Sequence, residues 1–205
     1  MEILGYGEDA LTLWSLKNRL DFILASLGDS SDTSKCQAFF RPSFGRSGGN
    51  KSSQFGEFDF ILLAEHRIYL GESKWDRSSE EIDNGYIKLR TEQLLRHKQF
   101  KFYVEEWAFG VYTDWSEFMS RGEDPLRRQE IDKPIAPAGS LLAKNLQTVL
   151  QIIRDHYPNK PEIRNVLLYF YNSVNGGQPV SKADDDFEVV NVDYSKDISG
   201  NYIQL

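Results

Sequence analysis

Three residues carry the clearest chemistry in the chain: Asp59, Glu72 and Lys74, set in the stretch Glu57 to Asp76, EFDFILLAEHRIYLGESKWD. Phe58, Phe60, Leu62 and Ala64 alternate with Asp59, Ile61 and Leu63; His66-Arg67 breaks the run, and Ile68, Tyr69 and Leu70 resume it. Branched and aromatic residues at this density suit a pleated, mostly buried sheet, so the stretch is predicted to be two strands joined by a tight turn. Glu72 and Lys74 are two residues apart, and a strand points such a pair to one face. Two carboxylates and an ammonium beside an apolar sheet are costly unless they pair or hold an ion. The trio therefore reads as catalytic. The plainer alternative is an ordinary α/β domain in which Glu72 and Lys74 form a surface ion pair.

Asp59 followed by Glu72-x-Lys74 at the end of the next strand resembles the signature of the PD-(D/E)XK nuclease superfamily. The resemblance covers a core of roughly half of the 205 residues. Phe58 stands where the nominal motif has proline. The likeness implies a restriction-endonuclease-like fold and Mg²⁺-dependent hydrolysis of DNA phosphodiesters, with Mn²⁺ as a substitute ion. Asp59 and Glu72 offer hard oxygen ligands of the kind Mg²⁺ takes, and the main-chain carbonyl of Ser73 is a further candidate ligand. Lys74 would orient the attacking water and stabilise charge at phosphorus. A helix ahead of the sheet often adds an acid in this family, a role for which Glu8 is the candidate; a helix-end carboxylate is the alternative. Some branches carry a glutamine on the helix after the motif, with an aromatic four residues on. Gln93 with His97 and Gln99 with Tyr103 both fit, and Gln93 lies closer to the strand end. The same fold without cleavage, as a nucleic-acid-binding or protein-interaction module, is the second functional reading.

The elements that must position these residues follow from periodicity. Leu11, Trp14, Leu20, Ile23, Leu24 and Leu27 predict an amphipathic helix from Glu8 to Leu27, stopped by Gly28. Glu8 and Asp9 sit in its first turn, where the helix dipole favours carboxylates. A first strand is expected at Cys36 to Arg41. The segment Gly45-Arg46-Ser47-Gly48-Gly49-Asn50-Lys51-Ser52 has Asn50 where a phosphate-binding P-loop needs its second glycine, and it leads into a strand instead of a helix. It is expected to be a mobile loop touching a nucleic-acid backbone. Ile82, Tyr86, Leu89, Gln93, Leu94 and Phe100 predict a helix reaching to about Trp107. A helical insertion is expected over 109–157, ending in a helix that Ser140 caps. Strands follow at Asn165 to Tyr171 and Phe187 to Val192. The expected class is α/β: a mixed central sheet flanked by helices, in one nuclease-like domain over 1–205.

Composition narrows the partners. The formal charge of −7 argues against indiscriminate coating of nucleic acid, but an acidic shell can enclose a local basic track. Lys35, Arg41, Arg46 and Lys51 form one acid-free stretch; Lys88, Arg90, Arg96, Lys98 and Lys101 form another, with only Glu92 against them. Arg46, Lys51, Lys88, Arg96 and Lys98 are the candidate phosphate contacts. Solvated faces are the alternative. The single cysteine, Cys36, allows no internal disulfide and fits a reducing cytoplasm as a core thiol. Three histidines without clustered ligands argue against zinc. No apolar run reaches membrane-spanning length. DNA is the expected partner, and a homodimer or larger complex is compatible with the reading.

Overall fold

The computed structural model describes residues 1–44, 55–77, 82–131, 133–184, 186–199 and 202–205. They fall into two compact units. The first comprises Met1–Arg41, Phe58–Leu89 and Ile163–Leu205, and the second Pro42–Glu57 and Arg90–Glu162. In chain order the elements begin β1 (Leu4–Gly5), α1 (Glu8–Asn18), α2 (Leu20–Ser26), β2 (Gln37–Phe40), β3 (Phe60–Leu63) and β4 (Arg67–Trp75). Then come β5 (Ile82–Asp83), β6 (Tyr86–Ile87), α3 (Thr91–Tyr103), α4 (Trp115–Arg128) and α5 (Leu141–His156). The chain closes with β7 (Glu162–Tyr171), β8 (Phe187–Asp193), β9 (Ile198–Ser199) and β10 (Tyr202–Gln204).

A mixed five-stranded sheet, in the order β2-β3-β4-β7-β8, forms the frame of the first unit. The pairs β2/β3 and β3/β4 are antiparallel, and β7/β8 is parallel. The alternation of side chains along each strand decides what meets the helices. Phe60, Leu62, Tyr69, Val166, Leu168, Phe170, Val190 and Val192 share one core with Leu11, Trp14, Ile23 and Leu24 of α1 and α2. Ile61, Leu63, Ile68 and Leu70, on the other face, are equally inaccessible to solvent. That double burial explains why the two strands read as near-continuous apolar runs. A small sheet ties the two ends of the unit together: Leu4 pairs with Gln204 and Gly5 with Ile203 in antiparallel register.

Several expectations change in detail. The helix expected over Glu8 to Leu27 is two helices, because Arg19 leaves helical geometry (φ −133°, ψ 18°) and its guanidinium bonds Asp197 at 2.9 Å. Gly28, at φ 63°, does follow the second one. The helix expected from Ile82 begins only at Thr91. Asn84 and Gly85 (φ 49° and 78°) instead turn β5 back on β6. Asn-Gly suits a two-residue hairpin turn because both positions need positive φ. β6 and the segment after it are pinned by Asp184, which accepts from Tyr86 Oη at 3.1 Å and Leu89 N at 2.7 Å.

The second unit is helical. Ser140 Oγ accepts from Ala143 N at 3.1 Å and starts α5 where the sequence placed its cap. Asp114 accepts from Ser116 N and Glu117 N to start α4, so much of the stretch 109–138 is regular helix. Phe44, Phe55, Phe100, Phe102, Trp115 and Phe118 interlock ring against ring in its core. The expected insertion 109–157 lies in this unit together with α3. Among the described residues no helix is long and apolar enough to cross a membrane.

Candidate active site

β3 and β4 remain paired up to Phe60 and Gly71. A Cβ on Gly71 would lie 2.0 Å from the Phe60 ring, so glycine is what lets that ring lie across β4. Asp59, one residue before β3 begins, lies outside that register. Asp59 is therefore not inside the strand, as expected from its alternation, but at the fork where β3 leaves the ladder. Its main-chain N donates to Gly71 O at 3.2 Å. Its carboxylate Oδ2 accepts from Ser73 N at 2.7 Å, tying the acid to the backbone between Glu72 and Lys74. Glu72, Ser73 and Lys74 are 1%, 0% and 8% exposed. At the start of α1, Glu8 Oε1 lies 3.6 Å from Lys74 Nζ. Five expected site residues thus meet in one cluster: Asp59, Glu72, Ser73, Lys74 and Glu8.

The cluster is electrostatically unbalanced. Burial, reinforced by the negative charges of Glu72 and Glu8, pushes the Asp59 carboxyl up to about 7, against the pull of the Ser73 N–H and the Lys74 ammonium. At Asp59, burial and two neighbouring carboxylates outweigh the Ser73 N–H and the Lys74 ammonium, so its carboxyl is driven toward its neutral form. Asp59, Glu72 and the Ser73 carbonyl offer oxygen donors of the kind Mg²⁺ takes. Among the described residues no three His, Cys, Asp or Glu side chains are gathered as a ligand group. A cation here would rest on Asp59, Glu72 and the Ser73 carbonyl.

Thr12 joins the cluster without having been singled out by the sequence. Its hydroxyl lies 2.8 Å from both Ser73 Oγ and the Glu8 carbonyl, and the Thr12 and Ser73 hydroxyls are buried. Four residues separate Thr12 from Glu8, so both lie on one helix face, which is the signal that would have found it. The pair fixes α1, and with it Glu8, against β4. Thr12→Val should therefore destabilise the protein by about 1–3 kcal/mol in urea unfolding, because Ser73 Oγ loses its buried partner. An unchanged midpoint would assign α1 docking to apolar contacts alone.

Gln93 Oε1 accepts from Arg90 N at 3.0 Å and so caps its own helix. Gln99 Nε2 donates to Tyr103 Oη at 3.3 Å and to Pro134 O at 3.2 Å, so the alternative glutamine and its aromatic form a bonded pair within the second unit. Arg96 is buried, and its guanidinium lies against Gly56, where a Cβ would come within 2.5 Å of Nη1. Lys98 is exposed on α3; Lys88 is exposed between β6 and α3, off the helix expected to carry it. Arg46 and Lys51 lie outside the described residues. Lys35 is bound by Glu65 at 2.7 Å and Arg41 by Asp9, so two cations of the first basic stretch serve the protein's own acids. Cys36, just ahead of β2, is half-buried and packs against the core of the first unit, and burial raises its pKa.

No protein-family model, no curated protein and no solved structure was found to match the chain.

Proposed function

We propose that the chain is a Mg²⁺-dependent deoxyribonuclease of the PD-(D/E)XK type, hydrolysing phosphodiester bonds at the Asp59–Glu72–Lys74 site. The observation that supports this most is the meeting of those three residues with Glu8 at the fork between β3 and β4, with Asp59 pushed up to about 7. Acids are not kept this crowded and desolvated for stability, since a buried charge cluster costs free energy that apolar packing would not. Asp59, Glu72 and the Ser73 carbonyl would hold the cation. When bound, Mg²⁺ supplies charge relief at the phosphate and makes a nearby water more acidic.

The chain's own residues do the rest. Water adds to phosphorus, the bond to the leaving sugar oxygen breaks, and the water's proton passes to solvent or to the leaving oxygen. Negative charge grows on the non-bridging oxygens as this happens. The Lys74 ammonium, 3.6 Å from Glu8 Oε1 and hedged by buried strands, is held ready for that charge with little reorganisation. Glu8 helps to aim Lys74 through that ion pair. The experiment is direct: incubate the protein with supercoiled, linear duplex and single-stranded DNA in Mg²⁺, Mn²⁺ or EDTA. Products with either metal and none in EDTA are expected. Binding without products in any metal would favour the non-catalytic module on the same fold.

A further inference from the structure

The two short segments that meet at the Lys74–Glu8 ion pair also meet at a pair of rings. Tyr6 lies two residues ahead of Glu8, and Trp75 directly follows Lys74. Their rings pack edge to face with centroids 5.6 Å apart. Tyr202 adds a third ring, 6.0 Å from Tyr6, and the Arg77 guanidinium lies 5.9 Å from the Trp75 ring centroid. Trp75 is half-buried with its body against the core, which makes it a rigid base. Tyr6 and Tyr202 are 57% and 51% exposed, so ring surface stays open to solvent, that of Tyr6 two residues from Glu8.

We propose that Tyr6, Trp75 and Tyr202, with Arg77, form a stacking platform for unpaired nucleobases, so that the substrate enters the site as single-stranded DNA. The inference rests on the nuclease reading for its ligand. Bases stack on aromatic side chains irrespective of sequence, and an arginine plane beside them adds to the attraction. Inside a duplex the base faces are covered by their neighbours and are closed to such rings. The charge of the protein points the same way. The formal charge is −7, and Lys35 and Arg41, engaged by Glu65 and Asp9, are poorly placed to add phosphate attraction. Stacking supplies affinity that charge does not.

The test compares the parent with Tyr6→Ala, Tyr202→Ala, the double variant and Tyr6→Phe, by fluorescence anisotropy in EDTA. The probes are a fluorescein-labelled oligothymidine and a labelled duplex of the same length. The single strand should bind the parent about tenfold more tightly than the duplex, with a shallow salt dependence. Each alanine should weaken single-strand binding about five- to tenfold, and Tyr6→Phe should retain it. Equal binding of both probes, or a double variant that binds like the parent, overturns the proposal. A double variant that loses only self-association in sedimentation makes the platform a protein interface, which also overturns it. Cleavage in Mg²⁺ is scored separately. Ring-dependent binding without cleavage rejects the nuclease and keeps the platform; cleavage with ring-independent binding rejects the platform alone.

Discussion

Lys74→Ala is expected to reduce Mg²⁺-dependent DNA cleavage by about 10²–10³-fold while the fold and divalent-cation binding survive. The ammonium is no ligand. Its removal takes one positive charge from beside Asp59 and Glu8, so Mn²⁺ should bind the variant at least as tightly as the parent. Glu72→Ala should behave differently: it removes a proposed ligand, and both Mn²⁺ binding and cleavage should be lost. Calorimetric Mn²⁺ titration and cleavage rates, measured on both variants, separate the two roles. A Lys74→Ala protein that cleaves at the parental rate would reduce Glu72-x-Lys74 to an ion pair on a strand, and the enzymatic reading would go with it.

The second large effect is on stability and depends on pH. The Asp59 carboxyl stands at about 7 in the folded chain against 3.8 for the ordinary group. Between those values the folded state keeps a proton that the unfolded state has released. Stability of the cation-free protein is therefore full below about pH 4 and lost as pH rises toward 7, by up to about 4 kcal/mol for this group. Asp59→Asn should abolish the slope and make the cation-free protein more stable than the parent near pH 8, even though the variant loses cleavage. Mn²⁺ should raise the Tm of the parent more near pH 8 than near pH 6, because cation and proton compete for one carboxylate. Urea unfolding across that range in EDTA reads the slope. A flat parental profile would mean that Asp59 is ionised and compensated throughout.

What the sequence disclosed was what repeats or punctuates. The paired apolar strands, the Ser140 cap and the late strands β7 and β8 all carry a period or a capping residue, and they lie where those signals put them. The Glu72-x-Lys74 spacing was legible for the same reason, since period two keeps both side chains on one face. The misses have physical causes too. The apolar spacing across Arg19 runs on while the backbone breaks there, because the arginine answers to Asp197, far along the chain. Ile82 and Tyr86 sit at helical spacing by coincidence, and the Asn84-Gly85 turn between them was the stronger local signal. The strands β1, β9 and β10 are too short to show any period, so Tyr6 and Tyr202 gave no hint of lying side by side.

The three-segment build of the first unit has a consequence for the order in which a growing chain can fold. Glu8, Thr12, Asp59, Glu72 and Lys74 all belong to the first half of the sequence, but β7 and β8, which extend their sheet, are made last. β1 waits longer still, for partners at Ile203 and Gln204. On a ribosome adding about 5–20 residues per second, the edge of β4 stands unpaired for several seconds while the second unit is made. That edge carries Ile68, Tyr69 and Leu70, a segment suited to pairing with a neighbouring nascent chain. That vulnerable interval is one that chaperones would have to cover.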